Sequence, residues 1–386
     1  MLLAGARVVT PDGVLDDGWV EVEGSQIVGV GTGRPAGAAR ALPEGSWLVP
    51  GFIDLHVHGG GGAWMTTGDP DEVVAAAAFH QAHGTTRTLA SLVTAPVDAI
   101  ERGAAAIATV VEAGPAAGAH VVGSHLEGPF LSAVRCGAQD PRHLIAPDVG
   151  LLQRMIDAGR GTVRVVTIAP ELPGGFDLIE ATIGAGAIAA IGHTDATYEV
   201  ASAAVAAGAR LATHLCNAMP PLHHRAPGAV GAALQAPDVV CEVINDGAHL
   251  HDGMVAAIVA AAGPARVALI TDAIAAAGTP DGTHELGGRA VHVEHGVARL
   301  ADGGALAGST LTMDVAVRRA VHDIGLSVAD AITAASTTPA RVLGVADRAG
   351  AIAPGLDADL VVLDADLHVV SVMALGRWVS GLALAP

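Results

Sequence analysis

His56-Val57-His58 places two imidazoles one residue apart, and residues two apart on an extended strand project from the same face. Both can then grip one metal ion. Taken alone the pattern is weak, since solvated or satisfied histidine pairs are commoner. The flanks sharpen it: Pro50-Gly51-Phe52-Ile53-Asp54-Leu55 precedes it, and a Gly59 to Gly62 run follows, where backbone can approach a ligand closely. Further along, Glu127 in HLEGPF, His193 in IGHT and His214 in THLCNAM each end an apolar stretch, where an unpaired imidazole or carboxylate would be costly. Either histidine alone reads equally well as a core histidine, and Glu127 alone as a salt-bridge partner. Together they make a three-ligand catalytic metal site with room for water. Asp272 in LITDA can take a proton from metal-activated water and deliver it to a departing amine. Its competing reading is a helix N-cap ahead of an Ala-rich stretch.

These residues need a scaffold that brings strand ends together. Apolar runs bounded by Gly, Pro or Asp alternate with Ala-rich helical stretches such as DPDEVVAAAAFHQAHG and DATYEVASAAVAAGAR, the rhythm of parallel βα units. Eight candidate strands fall at 52–58, 85–93, 121–128, 163–170, 187–194, 211–218, 239–246 and 267–273. Eight is the number that closes a barrel, whose catalytic groups sit at the C-terminal strand ends. His56, His58, Glu127, His193, His214 and Asp272 all lie there. The first fifty residues and the last forty read instead as short strands with turn signals, including a hairpin at Gly24-Ser25. The expected fold is α/β: a (β/α)8 TIM-type barrel over 50–346, with a small β-sandwich domain built from both chain termini, 1–49 and 347–386.

Composition excludes several function classes. The 386 residues, 51% hydrophobic, suffice for one large core plus a small domain. Apolar runs are broken well before the length of a membrane span, and MLLAGARVVTPDG lacks the organisation of a secretory signal, so a cytoplasmic location is expected. A formal charge of −19 without basic runs disfavours nucleic acid and anionic membrane. Cys136, Cys216 and Cys241 contain no Cys-x-x-Cys pair and read as reduced thiols. All 20 basic residues are Arg; without Lys, Schiff-base chemistry and a carboxylated-Lys metal bridge are both excluded, and a bridging ligand must be a carboxylate.

The motifs jointly resemble the N-acetylglucosamine-6-phosphate deacetylases of the amidohydrolase superfamily, from PGFIDLHVHGG through HLEGPF, IGHT, THLCNAM, HHRAPG, NDGAHL, LITDA and LAGSTLTM to GAIAPGLDADLVVLD. The likeness covers essentially the whole chain, and NAM with HRxPG is its most specific part. It implies hydrolysis of N-acetyl-D-glucosamine 6-phosphate to D-glucosamine 6-phosphate and acetate, in amino-sugar catabolism. It further implies Glu127, His193 and His214 as metal ligands, His56 and His58 completing a second site, and Asp272 as catalytic acid/base. Ala138, Gln139, Asn217, Ala218, His249, Leu306, Ala307 and Gly308 would contact the sugar. Arg225 would bind the 6-phosphate, reaching the neighbouring site of a homodimer. One or two divalent ions are expected per subunit, zinc first, with iron, manganese or cobalt as alternatives.

One position departs from the family pattern. Gln139, in RCGAQDP, stands where the family usually has a His that stabilises the oxyanion; loss of such a donor typically costs about 10²- to 10³-fold in rate. His143 could compensate if its loop folds over. Two alternatives therefore stay open: an amidohydrolase acting on a cyclic amide, an N-acyl amino acid or another N-acyl sugar, and an attenuated or inactive sugar-phosphate-binding variant.

Overall fold

The structure, a computed structural model, describes residues 1–115 and 118–381; residues 382–386, the end of the expected terminal domain, lie outside it. Eight parallel strands form the central sheet: β1 Phe52–Asp54, β2 Thr85–Leu92, β3 His120–Glu127, β4 Val163–Ile168, β5 Ile188–Ile191, β6 Leu211–Ala212, β7 Val240–Ile244 and β8 Val267–Ile270. Each pairs with its sequence neighbour, as βα units require. The ring closes just past the strand ends, where Val57 pairs in parallel with Ala273 and the Asp272 N–H donates to the His56 carbonyl over 2.8 Å. Strands β2 and β7 are buried along their full length, as expected of a sheet covered on both faces.

The two quoted helical stretches fold as Pro70–Ala82 and Tyr198–Ala206. Asp69 caps the first, accepting from the Asp71 N–H, and Pro70 occupies its first turn; the Thr197 hydroxyl caps the second. Their small apolar residues pack into one core with the outward faces of the barrel strands. Among the described residues no helix is long and apolar enough to cross a membrane.

Both chain ends meet in a single sheet ordered Arg377–Gly381, Val369–Ala374, Leu360–Leu363, Trp47–Pro50, Leu2–Thr10, Gly13–Glu23, Gln26–Thr32. Leu360–Leu363 joins the halves by running antiparallel to Trp47–Pro50, which leads directly into β1. Register shifts in Leu2–Thr10 bend the sheet over its own core of Leu3, Val8, Val20, Ile27, Leu48, Leu360 and Met373. Buried Arg87 on β2 pins this sheet to the barrel through Asp357 (2.6 Å) and Asp359 (3.1 Å).

A three-stranded antiparallel flap of Gly282–Leu286, Arg289–Glu294 and Val297–Leu300 is inserted after β8. Its inner side chains, Leu286, Val291, Val293 and Leu300, pack on Val93, Ile274 and Ala307 and roof the barrel mouth.

Candidate metal centre

Six side chains predicted from five strand ends converge in the barrel mouth in two groups, His56 with His58 and Asp272, and Glu127 with His193 and His214. Glu127 stands between them. Its Oε1 lies 2.9 Å from His214 Nε2 and 3.1 Å from His193 Nε2, while its Oε2 lies 3.2 Å from His58 Nε2. Asp272 Oδ1 is 3.1 Å from His58 Nε2 and 3.6 Å from His56 Nε2. All six residues are buried. Of the carboxylates in the two groups, Glu127 is the one placed to reach both, as a bridging ligand in a lysine-free sequence would have to be.

The outer ring nitrogens identify what the inner ones require. His58 Nδ1 bonds the Ser91 carbonyl (3.1 Å), His193 Nδ1 the Arg135 carbonyl (2.9 Å), and His56 Nδ1 the Glu242 carboxylate (3.2 Å). Since carbonyls and carboxylates only accept, each neutral ring carries its proton outward and presents a bare Nε2 lone pair inward. Those of His56 and His58 face each other at 3.1 Å, that of His193 faces His214 Nε2 at 3.1 Å, and all three face carboxylate oxygens as well. Facing acceptors of this kind are the donor set that a shared cation takes. Nitrogens about 2.0–2.1 Å from a tetrahedral ion would stand about 3.3 Å apart, close to the spacing observed. The donor set therefore fits a divalent metal in both groups.

The same field acts on protons. Burial alone would lower both pKa values, yet Glu127 and Asp272 hold the His56 imidazole well above its usual value, and Asp272 and Glu127 push His58 up to about 9. Burial would raise the two carboxylates, but His56 with His193 and His214 keeps Glu127 well below the usual range, and His56 with His58 brings Asp272 down to about 2. A site that draws protons so strongly draws other cations too.

Backbone conformation aims these ligands. His193, His214 and Asp272 all have positive φ, at 47°, 28° and 50°, a costly conformation for residues other than glycine that clusters at functional sites. No helix follows Asp272, which removes the N-cap reading; its carbonyl instead accepts from the Ser309 N–H at 2.8 Å. Gly308 makes that approach possible, since a Cβ there would sit 2.8 Å from the same carbonyl. The glycines after His58 serve packing: a Cβ on Gly59 would meet Ala63 O at 2.5 Å and Ala275 N at 2.8 Å.

Above the two groups opens a cavity of about 240 Å³, lined by His58, Glu127, His193, His214 and Asp272 together with Ala138, Gln139, Asn217, Ala218, His249, Leu306 and Gly308. Val93 and the flap residue Leu286 add apolar wall. Two predicted contacts are not brought there. Ala307 is fully buried in the flap core, and Arg225 lies on the exposed 221–226 turn, outside the cavity of its own subunit. His143 sits in the 141–143 turn at 3.9 Å from Asp140 and does not line the cavity either.

Several supporting residues escaped the sequence reading. Glu242, inside β7, reaches across the barrel to His56 and accepts the His214 N–H at 3.2 Å. His125 bonds Ser91 Oγ (3.1 Å) and Thr167 Oγ1 (2.8 Å), and packs edge-on against His56. Burial holds His125 well below its usual pKa, so it is a neutral spacer beneath the site. Asp54 accepts from Thr271 Oγ1 at 2.6 Å, and Asp246 grips His249 Nδ1 at 2.7 Å. The signal was present: a charge or imidazole within an apolar strand needs a partner.

Comparison with known proteins bears on this geometry. Residues 47–379 match the amidohydrolase family. The chain is 38% identical to an N-acetylgalactosamine-6-phosphate deacetylase of Escherichia coli O157:H7, covering 98% of this chain and 99% of that protein. It is 37% identical to the N-acetylglucosamine-6-phosphate deacetylase of Bacillus subtilis, covering 98% and 96%. Among solved structures, an aspartate-to-alanine mutant of the Mycobacterium smegmatis N-acetyl-D-glucosamine-6-phosphate deacetylase, in complex with N-acetyl-D-glucosamine-6-phosphate, superposes with a TM-score of 0.94 at 44% identity, covering 98% of this chain and 99% of that one.

Proposed function

The chain belongs to the amidohydrolase family and, within it, to the N-acetylglucosamine-6-phosphate deacetylases, and from that premise we propose that it hydrolyses the acetamide of N-acetyl-D-glucosamine 6-phosphate to D-glucosamine 6-phosphate and acetate. The observation that carries the proposal is the convergence of the two His/carboxylate groups, joined by Glu127, on the floor of one cavity. Glu127, His193 and His214 would hold one divalent ion, and His56, His58 and Asp272 a second. Zinc suits two imidazoles, a carboxylate and water, while iron, manganese and cobalt accept the same donors. The ion supplies Lewis acidity toward water and the amide carbonyl.

The chain's own groups perform the remaining steps. Asp272, kept as a carboxylate by His56 and His58 against the effect of burial, takes a proton from the attacking water as the water oxygen bonds the acetyl carbon. It then returns that proton to the amine nitrogen as the C–N bond breaks, so acetate and amine leave in balance. His249, whose pKa is raised by Asp246 against the effect of burial, presents its other ring nitrogen as a donor to the sugar; Asn217 lines the same wall. Val93, Leu286 and Leu306 exclude water from the rim. Arg225, exposed on its turn, would meet the 6-phosphate of a neighbouring subunit in a homodimer, where a guanidinium suits the dianion and offsets a strongly acidic chain. Because a sugar phosphate does not cross membranes unaided, the reaction is assigned to the cytoplasm.

The relative from E. coli O157:H7 favours one second reading, in which the 4-epimer, N-acetyl-D-galactosamine 6-phosphate, is also a substrate. The test is acetate release by zinc-reconstituted protein from both phosphorylated sugars and from unphosphorylated N-acetylglucosamine. Turnover confined to phosphorylated sugars is expected. No release from either, with metal bound, overturns the proposal.

A further inference from the structure

Gln139, the position that departs from the family pattern, is hydrogen-bonded through both ends of its side-chain amide. Its Oε1 accepts from the Thr94 backbone N–H at 2.7 Å. A backbone N–H only donates, so the orientation of the amide is settled and Nε2 must point the other way, where it lies 2.7 Å from Glu127 Oε2. That oxygen is the one facing His58; the other, Oε1, faces His193 and His214. Thr94 also donates its hydroxyl to the Glu127 carbonyl at 3.4 Å, tying the end of β2 to the same residue. The backbone of Gln139 is held in turn: its N–H donates to the Cys136 carbonyl at 2.9 Å, and Arg289 of the flap donates to the Ala138 and Gln139 carbonyls, both at 3.4 Å. Arg289 is itself anchored by Asp302 at 2.8 and 2.9 Å.

One of the two Gln139 Nε2 hydrogens is thereby committed to Glu127 rather than to an oxyanion. What that bond can do is fix a torsion. A glutamate carboxylate turns easily about its last bond, and bridging two ions requires one oxygen aimed at each. From this geometry we infer that Gln139 is a positioning residue, clamping Glu127 in the bridging orientation and so setting the affinity of the second ion position, that of His56, His58 and Asp272. Arg289 and the flap buttress the clamp. The inference rests on the metal-dependent reading of the site, but its test reads metal binding alone and needs no substrate.

The experiment measures stepwise zinc dissociation constants, by equilibrium dialysis against buffered free zinc with metal analysis, for the wild type, Gln139→Leu, Gln139→Met and Arg289→Gln. The wild type should bind two ions. Both Gln139 variants should hold the first ion within about threefold of wild type and bind the second about 10- to 100-fold more weakly, the range typical of residues that orient metal ligands. Arg289→Gln, whose side chain lies outside the metal groups, should weaken the second ion in the same direction by less. Melting of the metal-free proteins separates positioning from packing: loss of the second ion without a lowered metal-free Tm supports the clamp. Single-ion binding by the wild type, unchanged binding by the Gln139 variants, or equal weakening of both ions would each overturn it.

Discussion

Asp272→Asn isolates the proton-transfer step. Asn is nearly isosteric, keeps the backbone bonds to His56 (2.8 Å) and Ser309 (2.8 Å), and tolerates the φ of 50°, so the fold should survive. What disappears is a carboxylate oxygen 3.1 Å from His58 Nε2, and with it the group proposed to take a proton from water. Positioned general acid/base catalysis is worth about 10²- to 10⁴-fold, or about 2.7–5.5 kcal/mol of barrier. The variant should therefore lose about 10³-fold in kcat, with KM within about threefold, because the sugar contacts are untouched. Asp272 is also a candidate ligand, so the assay must be run at saturating zinc with the ion content of each protein measured. A fully loaded variant that retains kcat within tenfold of wild type would refute the assignment of Asp272 as acid/base.

Three further outcomes are expected. Arg225→Ala should raise KM for the phosphorylated sugar about ten- to hundredfold, the worth of a charge-assisted contact, and leave kcat unchanged; an equal effect on unphosphorylated substrate would remove Arg225 from phosphate binding. Arg87→Met leaves the buried Asp359 without its cation and Asp357 with Arg348 alone (3.2 Å), a loss of about 3–5 kcal/mol. At an unfolding entropy scaling with chain length this is a Tm drop of about 4–6 °C, and a calorimetric shift below 1 °C would contradict it. His80 Nε2 donates to the Gly59 carbonyl at 2.9 Å, and burial lowers its pKa from 6.5 to about 4. Its contribution is complete above pH 6.5 and is lost as pH falls toward 4, because the unfolded imidazole takes a proton the folded one refuses. Between pH 7.5 and 5 His80→Gln, which keeps a donor for Gly59, should lose about 2 kcal/mol less stability than wild type in denaturant titrations; parallel pH curves would show His80 to be uninvolved.

The sequence by itself determined a good deal of this protein. Eight largely apolar runs separated by helical stretches pointed to the parallel barrel, because strands covered on both faces are mostly apolar rather than alternating. His56, His58, Glu127, His193, His214 and Asp272 were legible because each interrupts such a run at its C-terminal end, where burial is costly without a partner. Without lysine any bridging ligand would have to be a carboxylate, and Glu127 stands between the two groups. Only the tertiary structure decided which partners those groups have. The Gln139 amide reaches Glu127 across 12 positions, Glu242 meets His56 across 186, and the Arg289 guanidinium holds the Gln139 carbonyl across 150. Spacing along a chain carries no record of such pairs, because their separation is set by how strands close into a ring and how the flap folds back over it. The inward lone pairs of His56, His58 and His193 likewise follow from the carboxylate and carbonyls behind those rings. Those acceptors belong to other strands and loops, and they come into place only when the barrel closes.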